Sequence, residues 1–249
     1  MTRHLLLPVA AAQFLVPALP AFGIGTPIGD AARADYGGLP PEQPLGIAFS
    51  IWGVIFTLYA VFAAYAAFKE DALVRRIAPP FLLAGAANVL WMLSAQTIAL
   101  QLLNAILLAP ILYFSWRAAE AFDQMRGMGG SWIKLVADAG TGLLAGWATV
   151  AVAISAPLTV RTLTGLGASD YPWQMLLLSM TVAAGAAWFF ATRISRSLWY
   201  FLALGWGVLN IALNNWFVTE MTLLSVFAAV AGYVIVRVRF RSSPAGSAA

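Results

Sequence analysis

A chain of 249 residues that is 61% hydrophobic and only 10% charged, with a mean hydropathy of +0.83, carries more apolar surface than one water-soluble core can hide. It has no cysteine, which removes disulfides, thiolate metal sites and cysteine nucleophiles, and its one histidine, His4, sits beside Arg3 near the N-terminus, which argues against a histidine metal centre or a catalytic triad. The net charge of +4 is spread over scattered basic residues, so it reads as a membrane-orientation signal, and no nucleic-acid partner is expected.

Charge-free runs at 5–29, 43–68, 77–116, 139–160, 171–192, 197–219 and 221–236 divide the chain. A crossing takes roughly 20 residues of helix, and 77–116 is twice that length, with Gln96, Thr97, Gln101 and Asn104 near its middle. It therefore reads as a helical hairpin turning at 97–101. The expected fold class is all-α, a polytopic membrane helical bundle of about eight transmembrane helices near 5–23, 46–68, 79–97, 101–119, 136–157, 172–191, 197–215 and 219–237.

Taken in order, the first helix is expected to be retained, although Arg3, His4, an apolar stretch and the small residues Ala18 and Ala21 also fit a cleavable secretory signal. The proline- and glycine-rich stretch 24–45 holds Asp30, Arg33, Asp35 and Glu42, and is either a lid folded over the bundle or a linker. In helix two, Phe49, Trp52, Phe56 and Tyr59 recur at helical spacing and form one stripe. In helix three, Asn88 shares a face with Trp91. An amide in hydrocarbon must find partners, so Asn88 is expected to point inward, toward either a neighbouring helix or a ligand. Asp138, four residues after Lys134, is either an interfacial i,i+4 partner or an intramembrane carboxylate facing the bundle. Gly142 and Gly146 permit close helix contact, expected inside the bundle rather than at a dimer seam. Asn210, Asn214 and Asn215 cluster toward the outer end of helix seven, lining a polar entrance or lying at the interface. Of ten tryptophans, Trp132, Trp173, Trp199 and Trp216 fall near helix ends, as an interfacial belt requires, whereas Trp52, Trp91, Trp147, Trp188 and Trp206 fall inside helices. The tail 240–249 is expected to be disordered.

Eight crossings place twelve basic residues on one side of the membrane and only Arg33 and Arg161 on the other. That asymmetry puts both termini in the cytoplasm. No catalytic motif is present, so the chain is expected not to be an enzyme.

Three segments carry a family resemblance. Residues 44–59, with Pro44, Phe49, Trp52 and Leu58-Tyr59, resemble the second-helix signature of the TspO/MBR (translocator protein, or tryptophan-rich sensory protein) family; Asn88 to Trp91 is similar to its third-helix Asn-x-x-Trp; and Trp147-Ala148-Thr149 is similar to a segment of its fifth helix. The resemblance covers residues 5–160. It implies a five-helix bundle over 1–160, followed here by three additional transmembrane helices over 161–239, a longer eight-helix branch. It further implies a pocket for flat hydrophobic molecules such as tetrapyrroles, lined by Phe49, Trp52, Phe56, Asn88, Trp91, Trp147, Ala151 and Ser155, the last standing where many members have Asn. The expected function is a membrane receptor, sensor or carrier of a planar hydrophobic ligand, with porphyrin binding and transport as its expected activities. The alternative is a non-catalytic accessory or structural subunit of a larger membrane complex. Expected partners are membrane lipids, a hydrophobic small molecule, and a second copy or a membrane complex. The expected location is the bacterial inner (cytoplasmic) membrane, and no metal is expected.

Overall fold

In hydrocarbon no water is present to satisfy a stray N–H or C=O, so a spanning segment must pair its backbone internally. The computed structural model, which describes residues 2–28, 35–125 and 131–241, meets this demand with helices, and no strand occurs among the described residues. Among the described residues eight long α-helices follow one another: α1 (Leu6–Leu15), α2 (Ile51–Phe68), α3 (Ala72–Thr97), α4 (Gln101–Asp123), α5 (Trp132–Thr164), α6 (Pro172–Phe189), α7 (Leu198–Phe217) and α8 (Thr222–Arg241). Pro17 and Pro20 remove backbone donors after α1, and the chain continues as 3-10 turns over Val16–Phe22. A π turn, Phe190–Ile194, extends α6.

Seven of these helices, with their extensions, are long and apolar enough to cross a membrane. The eighth, α7, has the length at 20 residues, but Asn210, Asn214 and Asn215 dilute its apolar content. The chain is an all-helical integral membrane protein, and the large apolar side chains left exposed along its helices, such as Leu90, Leu177 and Val230, give the bundle an apolar outer surface suited to lipid.

The hairpin turn falls at Ile98–Leu100, where the sequence places it, with Ala99 at φ 53°. Helix α3 starts at Ala72, seven residues before the expected start at 79. Prolines usually mark a first turn, but here Pro79 and Pro80 lie inside the helix, and the start is set by Asp71, whose carboxylate accepts from the Val74 amide at 2.9 Å. Partial burial pushes the Asp71 carboxyl up, but the Val74 amide, the Tyr65 hydroxyl, the Leu73 amide and the Arg75 charge together hold it below its ordinary value. This cap therefore stabilises the fold at neutral pH, and its contribution fades as the pH falls through the lowered pKa. Asp71→Ala is expected to cost about 1 kcal/mol in thermal unfolding at pH 7, with a smaller difference from the wild type below pH 4.

Helix α5 is the axis of the molecule. Every residue from Ala139 to Val150 is buried, and the helix packs against α2, α4, α6 and α7. Helix α1 packs on α2 and α3, whereas α8 closes on α6 and α7. Gly142 and Gly146 are an internal seam: α7 passes so close that a Cβ on Gly142 would lie 2.8 Å from the Trp199 Cβ, and one on Gly146 would lie 2.9 Å from the Ala203 Cβ. The seam continues where Gly207 faces Val150.

Polar contacts tie each end of the bundle together. At one end Arg3 pairs with Glu70 at 3.0 Å, Arg76 donates to Gln124, the Ser195 hydroxyl donates to Asp123 at 2.8 Å, and Arg239 donates to the Arg196 carbonyl at 3.1 Å. Both described ends of the chain thus lie on the same face, with the lysines and most of the arginines. Asp138 belongs to this end as well. It accepts from Ser197 Oγ at 2.8 Å, at the start of α7.

Candidate ligand cavity

The stripe on α2 turns inward. Trp52 stacks on Phe56 with centroids 5.2 Å apart, lies 6.4 Å from Trp91 of α3, and meets Trp147 of α5 edge-on at 6.3 Å. Phe49 reaches the same Trp147 at 5.7 Å, and Phe14 of α1 meets Phe56 at 5.7 Å. Four separate helices thus bring their rings to one place, and they wall a cavity of about 670 Å³. A volume of this size suits a small organic ligand, and ring faces with a few polar groups suit a flat apolar one.

Phe49, Trp52, Phe56, Trp91, Trp147, Ala151 and Ser155 all line this cavity. Asn88 lies behind the lining. It is fully buried and donates to Gln13 Oε1 at 3.4 Å, so its interhelical bond positions Gln13, which does line the cavity. Asp138 is at the opposite end, on Ser197, and Trp188 faces outward with 58% of its surface exposed. Three more polar residues, Gln96, Gln101 and Asn104, sit on the α3–α4 hairpin and line the wall. In the sequence they mark only the turn. Nothing in local periodicity joins them to Trp52 and Trp147, which lie 40 or more positions away.

The stretch before α2 roofs the cavity, since Tyr36, Leu39, Gln43 and Pro44 line it from above. Between the lid and linker readings, the described residues 35–45 take the folded-over position, whereas Asp30 and Arg33 lie outside the described residues. Prolines leave carbonyls that still need donors, and α7 supplies them. Asn214 Nδ2 donates to Pro40 and Gln43 carbonyls at 3.1 and 3.0 Å, and Asn215 Nδ2 donates to the Pro41 carbonyl at 2.6 Å. The asparagine cluster therefore grips the roof from the side. From α5, Tyr36 shares a hydrogen bond with Thr162 at 2.9 Å, and burial pushes its phenol above the ordinary value, so it stays protonated at neutral pH.

The strongest clamp is an ion pair. Arg161 Nε and Glu42 Oε1 are 2.7 Å apart, the second guanidinium nitrogen donates to Glu42 Oε2 at 3.1 Å, and both residues are fully buried. The remaining guanidinium nitrogen donates to the carbonyls of Gly167 and Asp170, so one side chain holds the roof and the α5–α6 connection together. In the sequence Arg161 is only a lone basic residue on the sparsely charged side. Its partner is 119 positions away.

The fold and site define a class: a polytopic helical membrane protein with an aromatic-walled cavity beneath a docked loop. The chain matches the family described as TSPO-like protein over residues 42–240, and it belongs to that family. The match begins after α1 and extends through α6, α7 and α8. Comparison with curated proteins and with solved structures finds no match to either.

Proposed function

We propose that this protein is a membrane receptor or carrier that binds a planar hydrophobic molecule, with a tetrapyrrole as a candidate, in the cavity between α1, α2, α3, α4 and α5. The observation that carries this reading is the convergence of Trp52, Trp91 and Trp147, from three helices, on one space instead of on lipid. The protein works by binding and by movement of the roof, with no covalent step. It resides in the bacterial inner membrane with both termini in the cytoplasm, a placement supported by the gathering of basic residues at one end of the bundle. Membership of the TSPO-like family supports a role of the sensor or carrier kind.

The test is a titration of purified protein with protoporphyrin dimethyl ester, an uncharged planar tetrapyrrole, followed by tryptophan emission. Wild type is expected to show saturable quenching. The Trp52→Ala, Trp91→Ala double variant is expected to bind at least roughly tenfold more weakly, because each lost ring removes stacking and buried area. Identical normalised curves for the two proteins would overturn the reading.

A further inference from the structure

We infer that the cavity selects an uncharged planar ligand bearing a hydrogen-bond acceptor, and discriminates against anionic analogues of the same ring; this rests on the reading of the cavity as a ligand site. The lining leaves specific polar atoms without partners. Trp91, 9% exposed, has an unpartnered indole N–H, which can only donate. Gln13, 0% exposed, accepts from Asn88 through its oxygen, and its Nε2 has no partner. Gln96, 3% exposed, has an unpartnered Oε1. Buried donors are rarely left unpaired, because each forfeits the hydrogen bonds it made with water. Of the neighbouring amides, Gln101 Nε2 donates to Ser155 Oγ at 3.0 Å and Asn104 Oδ1 accepts from Ser94 Oγ at 3.0 Å. Two fully buried donors, Trp91 Nε1 and Gln13 Nε2, therefore lack the acceptor that a ligand carbonyl would supply, and Gln96 Oε1 lacks a donor.

Charge decides the rest. No described lining residue is Lys, Arg or His, and Asp35 is an acid among them. At this end of the bundle the described residues include one cation, Arg161, and it is consumed by Glu42 and the carbonyls of Gly167 and Asp170. A carboxylate entering the cavity would lose its hydration and meet an acid but no free described cation.

Three probes that share one ring test this: pyrene, 1-acetylpyrene and 1-pyrenecarboxylate, titrated at pH 7.5 into the full-length protein in mild detergent, with energy transfer from tryptophan as the readout. 1-Acetylpyrene is expected to bind about five- to tenfold more tightly than pyrene, the worth of one buried hydrogen bond. 1-Pyrenecarboxylate is expected to bind at least about tenfold more weakly than 1-acetylpyrene. In Trp91→Phe combined with Gln13→Leu the ratio of 1-acetylpyrene to pyrene affinity is expected to fall to about one, since the donors are gone. Saturable binding of pyrene with equally tight binding of the carboxylate overturns the selectivity and leaves the receptor reading standing, as does an acetyl advantage that survives the double variant. No saturable binding by any of the three overturns both.

Discussion

Arg161→Ala is expected to destabilise the protein by about 3–5 kcal/mol. The mutation removes the one partner that the described residues give to the Glu42 carboxylate, which is fully buried and engaged through both of its oxygens. It also strips the guanidinium from the Gly167 and Asp170 carbonyls, and it removes a cation from the last turn of α5, where the helix dipole favours one. In a thermal melt in detergent this corresponds to a fall of roughly 10 °C in Tm. Exchanging both members of the pair for apolar residues, Arg161→Met with Glu42→Met, is expected to recover a substantial part of the loss, because the cost lies in the orphaned charge more than in the absent bond. A fall of less than about 2 °C for Arg161→Ala would show that the clamp does not hold the roof.

The second large effect is expected at Gly146. A side chain there would enter the contact distance of the Tyr200 carbonyl oxygen and lie 2.9 Å from the Ala203 Cβ, so it meets backbone that cannot rotate away. In a bilayer the association of helices rests on such close approach of small residues, since lipid tails compete for apolar contact. Gly146→Leu is therefore expected to push α7 from α5 and to cost about 3 kcal/mol or more, well above the roughly 1 kcal/mol that a better helix former returns. Because α7 carries Asn214 and Asn215, which hold the roof carbonyls, the same variant is expected to weaken ligand binding without touching the cavity wall. The contrast is Gly185→Ala in α6, where a Cβ meets nothing within 4 Å, so the substitution is expected to be neutral or stabilising by up to about 1 kcal/mol. Thermal stability and monodispersity in size-exclusion chromatography separate the two. If Gly146→Leu behaves like Gly185→Ala, the seam does not hold α5 and α7 together.

How much of the molecule is legible in its sequence follows from the range of the forces involved. Helix number depends on runs of apolar residues, a local signal, and a charge-free run underlies each of the eight helices, although α3, α4, α5 and α8 continue past the charges that bound theirs. The stripe Phe49, Trp52, Phe56 is periodic within one continuous helical segment, the 3-10 turn Gly46–Ser50 leading into α2, so its shared face can be read without any tertiary contact. The Gly142 and Gly146 seam is legible for the same reason, although the identity of α7 as its partner is not. The roof is different in kind. Glu42 and Arg161, or Pro41 and Asn215, are brought together from distant parts of the chain, and each looks like an isolated polar group in its own segment. Asn88 shows the limit of a face argument: it points inward, as an amide in hydrocarbon must, but it meets Gln13 and lies behind the cavity wall. The start of α3 shows another, since the Asp71 cap overrides the first-turn preference of Pro79 and Pro80.

The most direct measurement is a side-chain-resolution map of the protein prepared with excess protoporphyrin dimethyl ester. Ring-shaped density between Trp52, Trp91 and Trp147, with the roof lying over it, is the expected result. Density confined to the lipid-facing surface, with the space between the three indoles collapsed or filled by protein, would contradict it.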